Sequence, residues 1–138
     1  MANGQAVDYP TTLEGNQIVN LYSIPQDYTS FAAPSGGLAG TTTTSQRLFA
    51  AGAAGIRNYL ASVQICVSGT TTATVEVLIL DGSTVIFRIP WVTGATGCQS
   101  PPTRIPLKGS AATAMNYQLS ASAGGGAFYV DAQGYVSQ

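Results

Sequence analysis

The stretch "TVEVLILDGSTVIFR", residues 74–88, decides the fold. Two runs of β-branched and aliphatic residues flank Asp81-Gly82-Ser83. An Asp-Gly step between such runs is a strong short-range hairpin signal, because a left-handed turn residue matches the twist of paired strands. In the first run Val75, Val77 and Ile79 alternate with Glu76, Leu78 and Leu80. On the return, Val85, Phe87 and Ile89 share a side, with Ile86 and Arg88 opposite. Pro90 lacks the N–H that a central strand must donate, which places the end of this run at a sheet edge.

The same period of two spreads outward from the hairpin. In "NYLASVQICVS" (58–68), Tyr59, Ala61, Val63, Ile65 and Val67 fall on one face and Asn58, Ser62, Gln64 and Ser68 on the other. In "AMNYQLSAS" (114–122), Met115, Tyr117, Leu119 and Ala121 alternate with Asn116, Gln118, Ser120 and Ser122. "AFYVDAQGYV" (127–136) puts Phe128, Val130 and Ala132 inward and Tyr129, Asp131, Gln133 and Tyr135 outward. "TRIPL" (103–107) is a further short run, while "LFAAGAAGIRN" (48–58) is too glycine-rich for a helix and reads as an approach loop. "GTTTA" (69–73), the segment 93–103 and "GGG" (124–126) supply turns and loops. Six or seven half-buried strands, polar turns at roughly 10-residue intervals and no helical period predict an all-β fold, an antiparallel β-sandwich of jelly-roll type.

Residues 1–46 read differently. Pro10, Pro25, Pro34, the glycines of 35–40 and Thr41–Thr44 interrupt any period, and "QIVNLYSI" (17–24) is the one strand-like piece. Apolar residues recur there without a core of their own. The expected division is an extended N-terminal docking arm over 1–46 and a sandwich body over 47–138. The candidate contacts of the arm are Tyr9, Leu13, Ile18, Leu21, Tyr22, Tyr28 and Phe31, with Arg47 and Arg57 orienting it.

Composition narrows the function. The 138 residues are 45% hydrophobic and 8% charged, against about 25% charged in ordinary soluble domains. A net charge of −1 on a surface of Thr, Ser, Gly, Ala and Gln favours association. Arg47, Arg57, Arg88, Arg104 and Lys108 are dispersed, whereas nucleic-acid binding needs several phosphate-neutralising cations on one face, so nucleic acid is not an expected partner. The longest aliphatic run, Val77–Leu80, is far short of the ~20 residues that cross a bilayer, and no membrane association is expected. The N-terminus lacks the basic start and apolar segment of a secretory signal, which predicts synthesis in a cytoplasm.

Chemistry is poorly provided for. Histidine is absent, and with it the commonest general base and metal ligand. Two cysteines and six scattered carboxylates have no metal-ligand spacing. Asp81 is explained by its turn and Glu76 by an outward strand position, so we expect neither catalysis, cofactor nor metal. Cys66 sits in a strand run and Cys98 in the loop "TGATGCQSPP"; free thiols, a Cys66–Cys98 bridge and an intermolecular bond all remain open at this level. Trp91, Tyr129 and Tyr135 offer rings on which a sugar could stack, a minor reading beside their use in core or interface.

The segments "IRNYLASVQICVSGTTTATVEVLILDGSTVIFRIPW" (56–91) and "PLKGSAATAMNYQLSASAGGGAFYVDAQGYV" (106–136) resemble a group of small structural proteins of tailed bacteriophages, met as head-decoration or virion-associated proteins. The likeness rests on the approach "AAGIRNYLASVQI", the hairpin "LDGSTVIFR", the motif "PLKGSAATAMNYQLSA" and the terminal "YVDAQGYV", from Ile56 onward. It implies a virion component that works by binding: a capsid decoration (cement) protein on the head surface, its partners the major capsid protein and its own copies in a homotrimer. A neck, tail or fibre-base protein, or a glycan-binding adhesion module on the virion, are the alternatives it leaves.

Overall fold

The structure, a computed structural model, describes residues 28–31, 37–103 and 106–138. Among the described residues there are ten strands and no helix. In chain order they are β1 (Tyr28–Phe31), β2 (Leu38–Ala39), β3 (Gln46–Phe49), β4 (Arg57–Ser68), β5 (Val75–Asp81), β6 (Thr84–Trp91), β7 (Gly97–Gln99), β8 (Leu107–Ala111), β9 (Met115–Leu119) and β10 (Ala127–Ser137).

The strands form two antiparallel sheets. One is centred on β4 and β10, which pair over eleven residues of β10. The free side of β10 carries β1 and β2, and the free side of β4 carries β7 and β8. The other sheet runs β3-β9-β5-β6. Pairing is nested along the chain: β1 and β2 with β10, β3 with β9, β4 with β7 and β8, and β5 with β6. β6 is the last strand of its sheet, the edge position that Pro90 demands.

The hairpin of residues 74–88 forms as its sequence suggests, with a one-residue refinement. Asp81 pairs with Thr84, so the two central residues are Gly82 and Ser83. Gly82 takes φ 62° while Ser83 stays out of the left-handed region, the pattern of a type II′ turn with glycine first. Asp81 caps the neighbouring strand instead of entering the turn: its Oδ2 accepts the Ser110 N–H at 2.9 Å.

The inward rows meet as one core. Leu60, Val63, Ile65 and Val67 of β4 and Phe128, Val130 and Ala132 of β10 face Val75, Val77, Ile79, Ile89, Trp91, Met115, Tyr117 and Leu119 of the second sheet. Trp91 meets Phe128 edge-on with ring centroids 6.0 Å apart. Each such aliphatic or aromatic side chain contributes ~1.5–3 kcal/mol on leaving water.

Four expectations are corrected here. First, Ala61 does not share the inward face. Ser62 pairs with Gln133 but Leu60 with Gly134, so Ala61 is the extra residue of a β-bulge. The bulge reverses the alternation upstream: Asn58 and Leu60 turn inward, at 1% and 0% exposure, and Tyr59 turns outward. Asn58 is buried without penalty because its Nδ2 donates to the carbonyls of Ala50 and Thr113 at 2.8 and 2.9 Å. Second, the segment 93–103 is not all loop, since β7 pairs with β4 inside it. Third, the strand assigned to "TRIPL" starts only at Leu107. Fourth, strands occur within the expected arm and before its body. β1 and β2 join β10, and Leu48 and Phe49 of β3 are core residues and not part of an approach loop. Pieces of two to four residues fit between the prolines and glycines that were read as breakers. Residues 1–27 of the arm lie outside the described residues.

Two residues make this account testable. A Cβ at Gly134, opposite the bulge, would collide with the Tyr59 carbonyl oxygen and lie 2.8 Å from Phe49 Cζ. Gly134→Ala is therefore expected to destabilise the protein by about 2 kcal/mol in urea unfolding, against the usual small gain from removing glycine. The Tyr117 hydroxyl is fully buried without a hydrogen-bond partner among the described residues, and burial pushes its pKa up. Tyr117→Phe should then gain about 1 kcal/mol. In the wild type, stability should fall as pH rises above ~10, where the unfolded phenol ionises and the buried one resists. Unfolding curves of the Tyr117→Phe variant should lose that component of the alkaline decline.

Candidate binding surface

The outward row of the β4–β10 ladder builds a surface with a distinct chemical pattern. Directly opposed residues share a face, so the register stacks four rungs: Tyr129 with Cys66, Asp131 with Gln64, Gln133 with Ser62, and Tyr135 with Tyr59. The last pair is stacked, with ring centroids 5.0 Å apart and planes 9° apart. The bulge at Ala61 makes this possible, since it turns Tyr59 outward. The two middle rungs are polar, and they floor a cleft of about 440 Å³ whose described lining is Ser62, Val63, Gln64, Ser100, Asp131 and Gln133.

One wall is tied down covalently. Cys66 and Cys98 are joined by a disulfide, which fixes β7 to β4 at the rung beside Tyr129. Ser100 follows β7 directly, and its Oγ receives a 3.0 Å bond from Gln64 Nε2. Thr103 Oγ1 donates to the Ala61 carbonyl at 2.7 Å, which uses the backbone oxygen exposed by the bulge. The question left open by the sequence, free thiols or a bridge, is answered by register: the two cysteines are cross-strand partners.

The other residues singled out from the sequence are dispersed. Tyr9, Leu13, Ile18, Leu21 and Tyr22 lie outside the described residues. Tyr28 and Phe31 stand in β1, in register with Tyr135 and Ala132 of their own chain. Arg47 is exposed on β3 opposite Asn116. Arg57 is half-buried and donates to the Gly109 carbonyl at 3.2 Å, so it binds β4 to β8 within the body. Trp91 cannot stack on a sugar: it is 1% exposed, and its Nε1 donates to the Ala95 carbonyl at 3.0 Å. Tyr129, at 36%, keeps an exposed ring.

Glu76 and Asp81 do not converge. Glu76 pairs with Arg88 at 2.6 Å on the outer face of the second sheet, and Asp81 sits at the turn. Among the described residues, no three acidic, cysteine or histidine side chains group together as a metal site. The chain matches no protein-family model and no curated protein sequence.

The disulfide closes a 32-residue separation, for which chain-entropy arguments give a stabilisation of about 3–4 kcal/mol. The double variant Cys66→Ser/Cys98→Ser should lose about 2–4 kcal/mol in urea unfolding. The wild type should show the same loss on adding reductant, and the variant should not respond to reductant at all.

Proposed function

We propose that this protein is a decoration (cement) protein of a tailed-bacteriophage head, bound non-covalently to the major capsid protein on the outer surface of the shell. The observation that carries this reading is a rigid two-sheet body with little charge to keep it solitary: five basic and six acidic side chains in 138 residues. One of the basic residues is spent inside the body, Arg57 on Gly109, and another on the Arg88–Glu76 pair. A surface of hydroxyls, amides and small apolar groups costs less to desolvate against another subunit than a charged one does. The resemblance of residues 56–91 and 106–136 to phage virion proteins points the same way.

The finer fold assignment belongs to this proposal. Nested pairing, in which each strand pair encloses the next, is what a long hairpin rolled onto itself produces, and it supports a jelly roll whose first and sixth strands are split in two. Jelly rolls recur in viral shells and in lectins, and the fold alone does not choose between them.

In this reading the body covers a junction between shell subunits as a homotrimer. The apolar residues Tyr9, Leu13, Ile18, Leu21 and Tyr22 of the leader are its contacts with neighbouring capsomers. Fixing such a leader costs ~1–2 kcal/mol per residue of backbone, so three leaders on one trimer gain most through avidity.

Deleting residues 1–27 leaves every described strand intact. The truncated protein should stay folded and lose its binding to isolated heads, read by co-sedimentation. Equal binding by the truncated and whole proteins would remove the leader from the proposal. Quantitative mass spectrometry of purified virions should find hundreds of copies per particle; a few dozen would place the protein at a neck, tail or fibre base instead.

A further inference from the structure

We infer that the cleft on the outer face of β4 and β10 is a binding site for a neutral oligosaccharide. This stands apart from the proposed place of the protein in a virion and rests on the cleft alone.

The volume of about 440 Å³ lies within the range of small-molecule sites, about 300–1,000 Å³. Its floor offers both donors and acceptors of hydrogen bonds, the carboxylate accepting only. Gln133 and Gln64 carry amides, Ser62 and Ser100 hydroxyls, and Asp131 a carboxylate. Gln64 uses one amide N–H on Ser100, and no hydrogen bond or ion pair among the described residues uses the side chain of Asp131 or Gln133. A floor of unspent amide and carboxylate groups suits vicinal hydroxyls, which donate and accept at once. Tyr129 adds an exposed ring at one end of this floor, against which the C–H face of a sugar packs. At the other end lies the Tyr59–Tyr135 stack. Tyr129 and Tyr135 are six residues apart, about 20 Å along a strand at ~3.3 Å per residue, so the surface is long enough for several linked rings.

Other occupants fit less well. A peptide adding as a strand needs free backbone groups, and β4 and β10 are each paired on both sides. The described lining has a carboxylate and no Lys or Arg, which disfavours phosphates and nucleic acid. The polar floor gives an apolar helix nothing to bury.

The test is an NMR titration of the full-length, disulfide-bonded protein, labelled with ¹⁵N. The probes are neutral malto-, cello-, laminari- and galacto-oligosaccharides, with sialyllactose as the acidic control. At least one neutral series should shift the side-chain amides of Gln64 and Gln133 and the backbone of Ser62 and Asp131. Affinity should rise with chain length. Tyr129→Ala and Gln133→Ala alter exposed side chains, and each should weaken binding about fivefold to tenfold with unchanged thermal unfolding. No shifts at millimolar sugar would overturn the assignment. So would shifts confined to another surface, binding unaffected by both variants, or preference for the acidic control. A synthetic peptide of residues 1–27 that perturbs the same amides where no sugar does would overturn it too, by naming the leader as the occupant.

Discussion

The pairing of β4 with β10 is the constraint on which the rest of the molecule depends. It is the longest ladder in the fold, and both of its strands are central, so neither can shift without unpairing a neighbour. Its inward row supplies one wall of the core: Leu60, Val63, Ile65, Val67, Phe128, Val130 and Ala132. Its outward row supplies the polar cleft and the tyrosines that bound it. A slip of one residue would exchange the two sets, exposing the core and burying Asp131 and the glutamines. Register here is a matter of many kcal/mol of burial, and the bulge at Ala61 is compatible with it because Gly134 lets the strands approach where a Cβ could not fit.

The bulge also ties the two sheets of the sandwich together. By turning Asn58 inward it places an amide where the β3–β4 and β8–β9 connections converge, and that amide satisfies both the Ala50 and Thr113 carbonyls. The hairpin turn joins the same end: Gly82 N–H donates to Ala114 O at 2.8 Å, Asn116 Nδ2 donates to Gly82 O at 3.0 Å, and Asp81 receives Ser110 N–H. The two sheets are thus fastened at this end by side chains that span them. The apolar core supplies the larger energy, but these polar ties are directional and fix how the sheets sit.

Most of this fold is legible in the sequence because the signal is local. Strict alternation in 115–119 and 128–133 reports a half-buried sheet from a few residues, and the Asp81-Gly82-Ser83 hinge between two β-branched and aliphatic runs reports a hairpin. The readings that failed depend on partners far away in the chain. An alternating pattern continues smoothly through Tyr59, Ala61 and Val63, so the bulge is invisible without Gly134 opposite it. For Trp91 the core reading holds over the minor one of a sugar-stacking ring, since the Ala95 carbonyl four residues on satisfies its N–H and the indole is buried. Leu78 and Leu80 are buried on the outer face of the second sheet, where alternation gives them no reason to be. Cys66 and Cys98 could be matched only through the three-residue strand β7, too short to carry a period. The outward sets Asp131 and Gln133 of one strand and Ser62 and Gln64 of another were each legible. Their pairing with each other and with Ser100 was not, because that is tertiary.

The sheet edges bear on how such a body joins a larger assembly. An unbroken edge strand invites pairing with another chain, and this protein has none among the described residues. On the free side of β10 the edge is divided between β1 and β2, and on the free side of β4 between β7 and β8. In the second sheet β6 carries a register shift between Val85 and Phe87 and ends on Pro90-Trp91, while β3 has four residues and a shift of its own. Interrupted edges resist strand addition, so the low charge that invites association does not lead to indiscriminate sheet growth. Contact is left to the faces, where side chains choose the partner. Specificity in a nearly uncharged protein then has to come from shape and hydrogen bonding, and the paired glutamine, serine and aspartate rungs of β4 and β10 are where that capacity is concentrated.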